Sequence, residues 1–138
     1  MKASDIMSLG AATITRGQSL EQAIRIMSTH GISALPVVDG EGRLEGIVSE
    51  GDFFRRADRP VSLDMLVNAD SSARRRALAS RTVEEIMTRD PIAIDADVPI
   101  EEAVELMERH ELKRLPVMAN DRVAGLISRA DVLRAMIE

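Results

Sequence analysis

The sequence predicts an α+β protein in which one short series of elements is built twice. Three observations lead there. First, the chain repeats itself: Asp5-Ile6-Met7-Ser8 returns as Glu85-Ile86-Met87-Thr88, and Leu35-Pro36-Val37 returns as Leu115-Pro116-Val117, both 80 positions later. Second, each copy carries apolar residues at i, i+3, i+4 and i+7, the spacing of a half-buried helix. Third, each copy then has two short apolar runs divided by turn-forming residues, the pattern of a hairpin. Repetition makes two equivalent surfaces, so a site on one copy should recur on the other.

A short extended stretch precedes the helix of each copy, at Thr13-Ile14 and Ala93-Ile94. In the first copy Leu20, Ala23, Ile24 and Met27 place a helix near residues 19–30. Ser19 is suited to its N-cap and Gly31 to the left-handed residue that ends it. In the second copy Ile100, Ala103, Val104 and Met107 do the same, with Pro99 fitted to the first turn. Glu111 stands where Gly31 stood, which predicts a less favourable or differently shaped helix end.

The hairpins join residues 35–38 to 44–48 and residues 115–118 to 123–127. The proline in each first strand puts that strand at an edge or delays its pairing until beyond the proline. A closing helix follows, through Phe53, Phe54 and Ala57 in one copy and Val132, Leu133, Met136 and Ile137 in the other. The chain thus divides into a first repeat at 1–57, a connector at 58–82 and a second repeat at 83–138. Within the connector, residues 62–66 fit a helical turn and Ser71 or Ser72 fits the cap of a second helix reaching Leu78. Thr82-Val83-Glu84-Glu85 has the pattern of a capping box.

Composition narrows the function. With 45% hydrophobic and 30% charged residues the chain is an ordinary soluble globular domain. A net charge of −5 disfavours non-specific adhesion to nucleic acid or to anionic membrane. Cysteine is absent, which removes disulfide and thiolate chemistry. With neither a secretion signal nor an apolar run of membrane length, the expectation is a cytoplasmic protein with no membrane partner. Phe53 and Phe54 are the only aromatic residues, so a bound base would lie between aliphatic side chains. That counts against single-stranded nucleic acid, and the Arg74-Arg75-Arg76 run reads as a solvated helix face.

One pattern could carry chemistry: Gly-apolar-apolar-Ser-x-x-Asp, present as Gly46…Ser49…Asp52 and as Gly125…Ser128…Asp131. Each glycine lets its strand pass close to another group. Ser-x-x-Asp at the change from strand to helix is a capping box, a purely structural device. The same corner offers backbone N–H groups and a hydroxyl to a phosphate, and a carboxylate to vicinal hydroxyls such as those of a ribose. His30 and His110 hold equivalent helical positions, but no cluster of further ligands marks a metal site. Nothing marks a nucleophile or a general base, so catalysis is not expected.

Taken together, Asp-Ile-Met near the start, Ala-Leu-Pro-Val-Val-Asp at 34–39, Arg-Leu-Pro-Val at 114–117 and the two Ser-x-x-Asp segments resemble a tandem pair of cystathionine-β-synthase-type (CBS) domains, a Bateman module. Ala119 departs from the family's strand-end Asp, which Asp39 matches. The resemblance implies β-α-β-β-α repeats, their sheets packed across a pseudo-two-fold axis, with a short, partly helical connector. It implies a non-catalytic regulatory module, without a catalytic cofactor, that binds AMP, ADP or ATP in clefts between the repeats and signals energy or metabolite status to a partner protein. The alternative is a dimerisation or interaction module that needs no ligand, and pairing of modules into a homodimer is expected in either case. Carried over by residue, one cleft comprises Ser49, Asp52, Ile92, Ala93, Lys113 and Arg114, and the other Thr13, Ile32, Ser33, Ala34, Ser128 and Asp131. The positive charge of Lys113 and Arg114 implies tighter nucleotide binding at the Asp52 cleft.

Overall fold

The computed structural model describes residues 1–9, 12–54 and 66–138. In chain order its elements are α1 (Ala3–Ile6), β1 (Ser8–Leu9), α2 (Leu20–His30), β2 (Ala34–Val38) and β3 (Leu44–Ser49), then a 3₁₀ turn at Glu50–Phe53. After these come α3 (Ser71–Ser80), a 3₁₀ turn at Val83–Glu85, β4 (Thr88–Arg89), β5 (Ile94–Asp95), α4 (Ile100–Arg109), β6 (Arg114–Ala119), β7 (Arg122–Ser128) and α5 (Arg129–Ala135).

The long helices form as their periodicity requires. In α2, Leu20, Ala23 and Met27 are buried, the Ser19 hydroxyl accepts from the Gln22 N–H at 3.0 Å, and Gly31 is left-handed at φ 62°. In α4, Ile100, Ala103 and Met107 are buried. Its end shows what the Gly31-to-Glu111 difference does. Glu111 adopts the same left-handed conformation, at φ 54°. The closing hydrogen bond is also the same, Ile32 N–H to Met27 O at 3.0 Å in one copy and Leu112 N–H to Met107 O at 2.9 Å in the other. A side chain with a Cβ is disfavoured there, so Glu111→Gly is expected to stabilise the protein by about 0.5–1 kcal/mol. A higher urea midpoint at unchanged slope would register this gain.

Two compact units result, and each has its own core. One comprises the opening segment through Leu9, residues 41–44 and residues 91–138; the other comprises the described residues of 12–40 and 45–90. The opening segment of the chain therefore belongs with the second repeat, and residues 83–89 belong with the first. In the second-repeat unit the sheet order is β1-β7-β6-β5, with Ser8 opposite Leu126 and Leu9 opposite Gly125. Ala3, Ile94, Ala103, Met107, Leu115, Val117 and Ile127 form its core. In the first-repeat unit the order is β2-β3-β4, with Gly46 opposite Arg89, and Ile14 bridges Val37 in parallel. Its core holds Ile14, Leu20, Leu35, Val37, Val48, Val83 and Ile86 among others.

The prolines fit because the parallel neighbour begins to pair one residue later. Ile94 lies opposite Val117, and Ile14 opposite Val37. Ile14 donates to the Pro36 carbonyl at 3.1 Å and accepts from Val38 at 2.9 Å, so no partner at the start of this pairing calls for an N–H from Pro36. The second hairpin turns through Asn120 and Asp121, both at positive φ (53° and 65°), as a two-residue I′-type turn demands.

Three expectations need correction. The first closing helix does not run through Phe53 and Phe54: the 3₁₀ turn ends at Phe53, and Phe54 is extended. Gly51 sits where the second copy has Ala130, and glycine disfavours a helix by about 1 kcal/mol relative to alanine. The cap of α3 is Asp70, whose carboxylate accepts from the Ala73 N–H at 2.8 Å, and not Ser71 or Ser72. In the second copy α5 ends at Ala135, with Met136 at its C-cap and Ile137 beyond it, both exposed. Ala57 and, but for Leu66, the turn at 62–66 lie outside the described residues.

The capping box at Thr82 forms, with Glu85 accepting from the Thr82 N–H at 2.7 Å and from the Arg81 guanidinium at 3.0 Å. The Thr82 N–H, and secondarily Arg81, hold the Glu85 carboxyl below its ordinary value against the opposing effect of burial. A depressed carboxylate contributes stability above the unfolded value, about pH 4.3, that is lost as pH falls through the folded value. Glu85→Gln should therefore lower stability by a constant amount above about pH 4.5 and flatten the acid limb below it, leaving the slope of the alkaline limb unchanged.

Candidate functional site

The two Ser-x-x-Asp corners stand at the ends of β3 and β7, and their geometry is nearly the same. Asp52 Oδ2 accepts from the Ser49 N–H at 2.8 Å and from Ser49 Oγ at 3.2 Å. Asp131 Oδ2 accepts from the Ser128 N–H at 2.8 Å and from Ser128 Oγ at 3.0 Å. Asp52 and Asp131 are the buried charged residues among those described, at 4% and 7% exposure. Burial of a carboxylate is costly without donors, and these hydrogen bonds supply them.

Each corner is tied to the residue that precedes the first hairpin strand of its own copy. The Glu50 N–H donates to Ser33 O at 2.9 Å, and the Arg129 N–H donates to Lys113 O at 3.0 Å. The surroundings differ in charge as a result: Ser33 and Glu50 stand beside Asp52, whereas Lys113 and Arg129 stand beside Asp131. Arg134 also donates to Asp131 Oδ1 at 3.2 Å.

The other candidates are placed as follows. Thr13, Ile92 and Ala93 are half-buried just before Ile14 and Ile94, the residues that pair with Val37 and Val117. Ile32 and Ser33 are half-buried and Ala34 is buried at the start of β2. Lys113 is exposed and Arg114 half-buried at the start of β6. His30 and His110 are exposed, and no group of three or more potential metal ligands is assembled among the described residues. Arg74 is occupied locally, donating to Leu66 O at 3.1 Å and Ala69 O at 3.0 Å, and Arg76 donates to Ser72 Oγ at 2.7 Å. No helix among the described residues is long and apolar enough to cross a membrane.

Gly46 and Gly125 do pass close to another group, and the structure identifies it. A Cβ on Gly46 would stand 2.7 Å from Thr88 O and 3.0 Å from Met87 Sδ. On Gly125 it would stand 2.7 Å from both Ser8 O and Met7 Sδ. Sequence reasoning missed the carboxylate half of a capping box at the opening helix, where Asp5 accepts from the Lys2 N–H at 2.7 Å. The equivalence of Asp5 with Glu85 was the signal that could have found it.

Comparison with known proteins identifies the family. A family profile described as the CBS domain matches residues 3–59 and 83–138. A CBS domain-containing protein of Dictyostelium discoideum is 30% identical over 96% of this chain and 89% of its own length. A homoserine O-acetyltransferase of Methanohalobium evestigatum is 34% identical over 98% of this chain, which spans only 24% of that protein. Among solved structures, the CBS domain pair of protein MJ0100, in complex with 5′-methylthioadenosine and S-adenosyl-L-methionine, matches with a TM-score of 0.75 at 28% identity, covering 99% of this chain and 95% of the other. The profile matches both repeats, and the chain belongs to the CBS domain family as a tandem pair.

Proposed function

We propose that this chain is a regulatory module that binds an adenosyl ligand, AMP, ADP or ATP in the first instance, and passes metabolite status to a partner protein. The observation that carries the reading is the duplicated corner: two buried aspartates, each held by a serine N–H and hydroxyl at the end of a hairpin strand. Such a carboxylate suits the vicinal hydroxyls of a ribose, with the serine hydroxyl turned to phosphate. The adenosyl compounds in the MJ0100 pair support the ligand class. Ligand binding regulates only if it favours one conformation of the module over another, so the signal lies in that difference.

Two assignments of the surrounding residues follow different evidence. The family expectation joins Ile92, Ala93, Lys113 and Arg114 to the Asp52 corner, and Thr13, Ile32, Ser33 and Ala34 to the Asp131 corner, which makes the Asp52 site the tighter one for phosphate. The local hydrogen bonds favour a second reading. They join Lys113, with Arg129, to the Asp131 corner and Ser33, with Glu50, to the Asp52 corner. Phosphate would then prefer Asp131.

Thermal denaturation against AMP, ADP, ATP, 5′-methylthioadenosine and S-adenosylmethionine tests the reading. A ligand at 100 times its Kd adds about 2.7 kcal/mol, so a selective and concentration-dependent rise in Tm is expected with at least one compound. With neither Trp nor Tyr in the chain, calorimetry or a dye must report the transition. No shift with any compound at millimolar concentration would favour a ligand-independent interaction module.

A further inference from the structure

The same segment docks twice in this chain, at two depths. Through β1 the opening segment pairs with β7, and through β4 residues 83–89 pair with β3. Position by position, Ala3, Ile6 and Met7 correspond to Val83, Ile86 and Met87. All three of the later residues are buried, whereas Ala3 is buried and Ile6 and Met7 are half-buried. The thioethers fill equivalent gaps. A Cβ on Gly46 would stand 3.0 Å from Met87 Sδ, and one on Gly125 would stand 2.7 Å from Met7 Sδ and 2.9 Å from Met7 Cγ. Met7 also packs on the core of its unit. Of the other described methionines, Met1 and Met136 are exposed, Met27 and Met107 are buried, and Met118 is half-buried within β6. Met7 therefore joins partial exposure to a sulfur committed to the docking of a segment.

We propose that Met7 is a modification site, at which oxidation by hydrogen peroxide releases the opening segment from β7. A sulfur lone pair attacks one peroxide oxygen and the O–O bond breaks. That oxygen stays on sulfur as the sulfoxide, and the other leaves with both protons as water. The thioether loses two electrons and the peroxide gains them. The product is a polar, chiral group in a gap that holds an apolar one. The Ser8 carbonyl faces the same gap and, being an acceptor, offers the new oxygen no hydrogen bond. The segment's hold on its unit is short. β1 has two residues, and Ala3 and Ser4 donate to Val98 O and Ala96 O. A short, partly exposed docking of this kind opens locally at low cost. Burial shields Met87 from the same reaction. Methionine sulfoxide reductase reverses the step, the oxygen leaving as water while two thiols become a disulfide.

Hydrogen peroxide is the probe, applied to the full chain, with peptide mass mapping and amide hydrogen exchange as readouts. Met7 should oxidise more slowly than Met1 and Met136 but about tenfold or more faster than Met87. As the Met7 sulfoxide accumulates, protection of the Ala3 and Ser4 amides should fall about tenfold or more. The Val83 and Met87 amides, which donate to Gln18 O and Val83 O, should keep theirs. Met7→Leu fills the gap without an oxidisable sulfur and should hold the Ala3 and Ser4 amides through the same treatment. Met7→Gln, which is polar without any oxidant, should show the loss from the start, and methionine sulfoxide reductase should restore protection in the oxidised wild type. Three results overturn the proposal: Met7 oxidising no faster than Met87, complete Met7 oxidation with Ala3 and Ser4 still protected, or the loss persisting in Met7→Leu. None of these measurements uses an adenosyl ligand, so their outcome is separate from that of the function proposed above.

Discussion

Gly125→Ala is expected to destabilise the protein by about 1–3 kcal/mol, the range of an overpacked interior site. Its Cβ would press on the Ser8 carbonyl and the Met7 sulfur at 2.7 Å. The sulfur can swing away, but the carbonyl belongs to β1, which pairs with β7 at this point. The substitution should therefore loosen the opening segment specifically. Ala3 and Ser4, whose amides donate to Val98 O and Ala96 O at 2.8 and 3.0 Å, should lose protection from hydrogen exchange. Gly46→Ala should produce the counterpart in the first-repeat unit, loosening β4 through Thr88 O and sparing residues 1–9. Equal loosening of both segments by either variant would contradict the two separate pairings.

These pairings mark the limit of what the sequence makes legible. The two long amphipathic helices, both hairpins, the Gly31 terminus and the Ser-x-x-Asp boxes follow from local rules, because spacing and capping chemistry decide them within a few residues. The exchange of opening segments does not. Met7 and Met87 carry the same side chain, and Gly46 and Gly125 offer the same gap, so local chemistry fits either combination. Long-range chain topology chooses between them, and periodicity contains no information about it. The 3₁₀ turn at Glu50–Phe53, where the second copy has a helix, coincides with Gly51 in place of Ala130, a difference that the apolar pattern around it conceals. The site was legible as residues and less so as surroundings: Ser49, Asp52, Ser128 and Asp131 form the expected corners, but the backbone bonds of Glu50 and Arg129 to Ser33 and Lys113 depend on a turn no motif encodes.

Loss of either aspartate should have the largest effect on binding. Hydrogen bonds to a charged group contribute about 1.5–3 kcal/mol, so Asp52→Ala and Asp131→Ala are each expected to weaken an adenosyl ligand about 10- to 100-fold at the altered corner. Each also removes a partner of the serine N–H, at a cost of about 1 kcal/mol in stability. Asp→Asn variants, which keep an acceptor there, should retain more of the fold than of the affinity. Lys113→Ala then decides between the two assignments of the surroundings. Combined with each aspartate variant in a double-mutant cycle, it should show coupling to Asp131 if the local hydrogen bonds define the site, and to Asp52 if the family expectation does.

The central claim is that the duplicated corner binds an adenosyl ligand, and isothermal titration calorimetry of the intact chain tests it most directly. Titration with AMP, ADP, ATP, 5′-methylthioadenosine and S-adenosylmethionine should give saturable heat with at least one of them, and that heat should vanish in the folded Asp52→Ala/Asp131→Ala double variant. Absence of heat with every compound, or an unchanged isotherm in the double variant, would contradict the account.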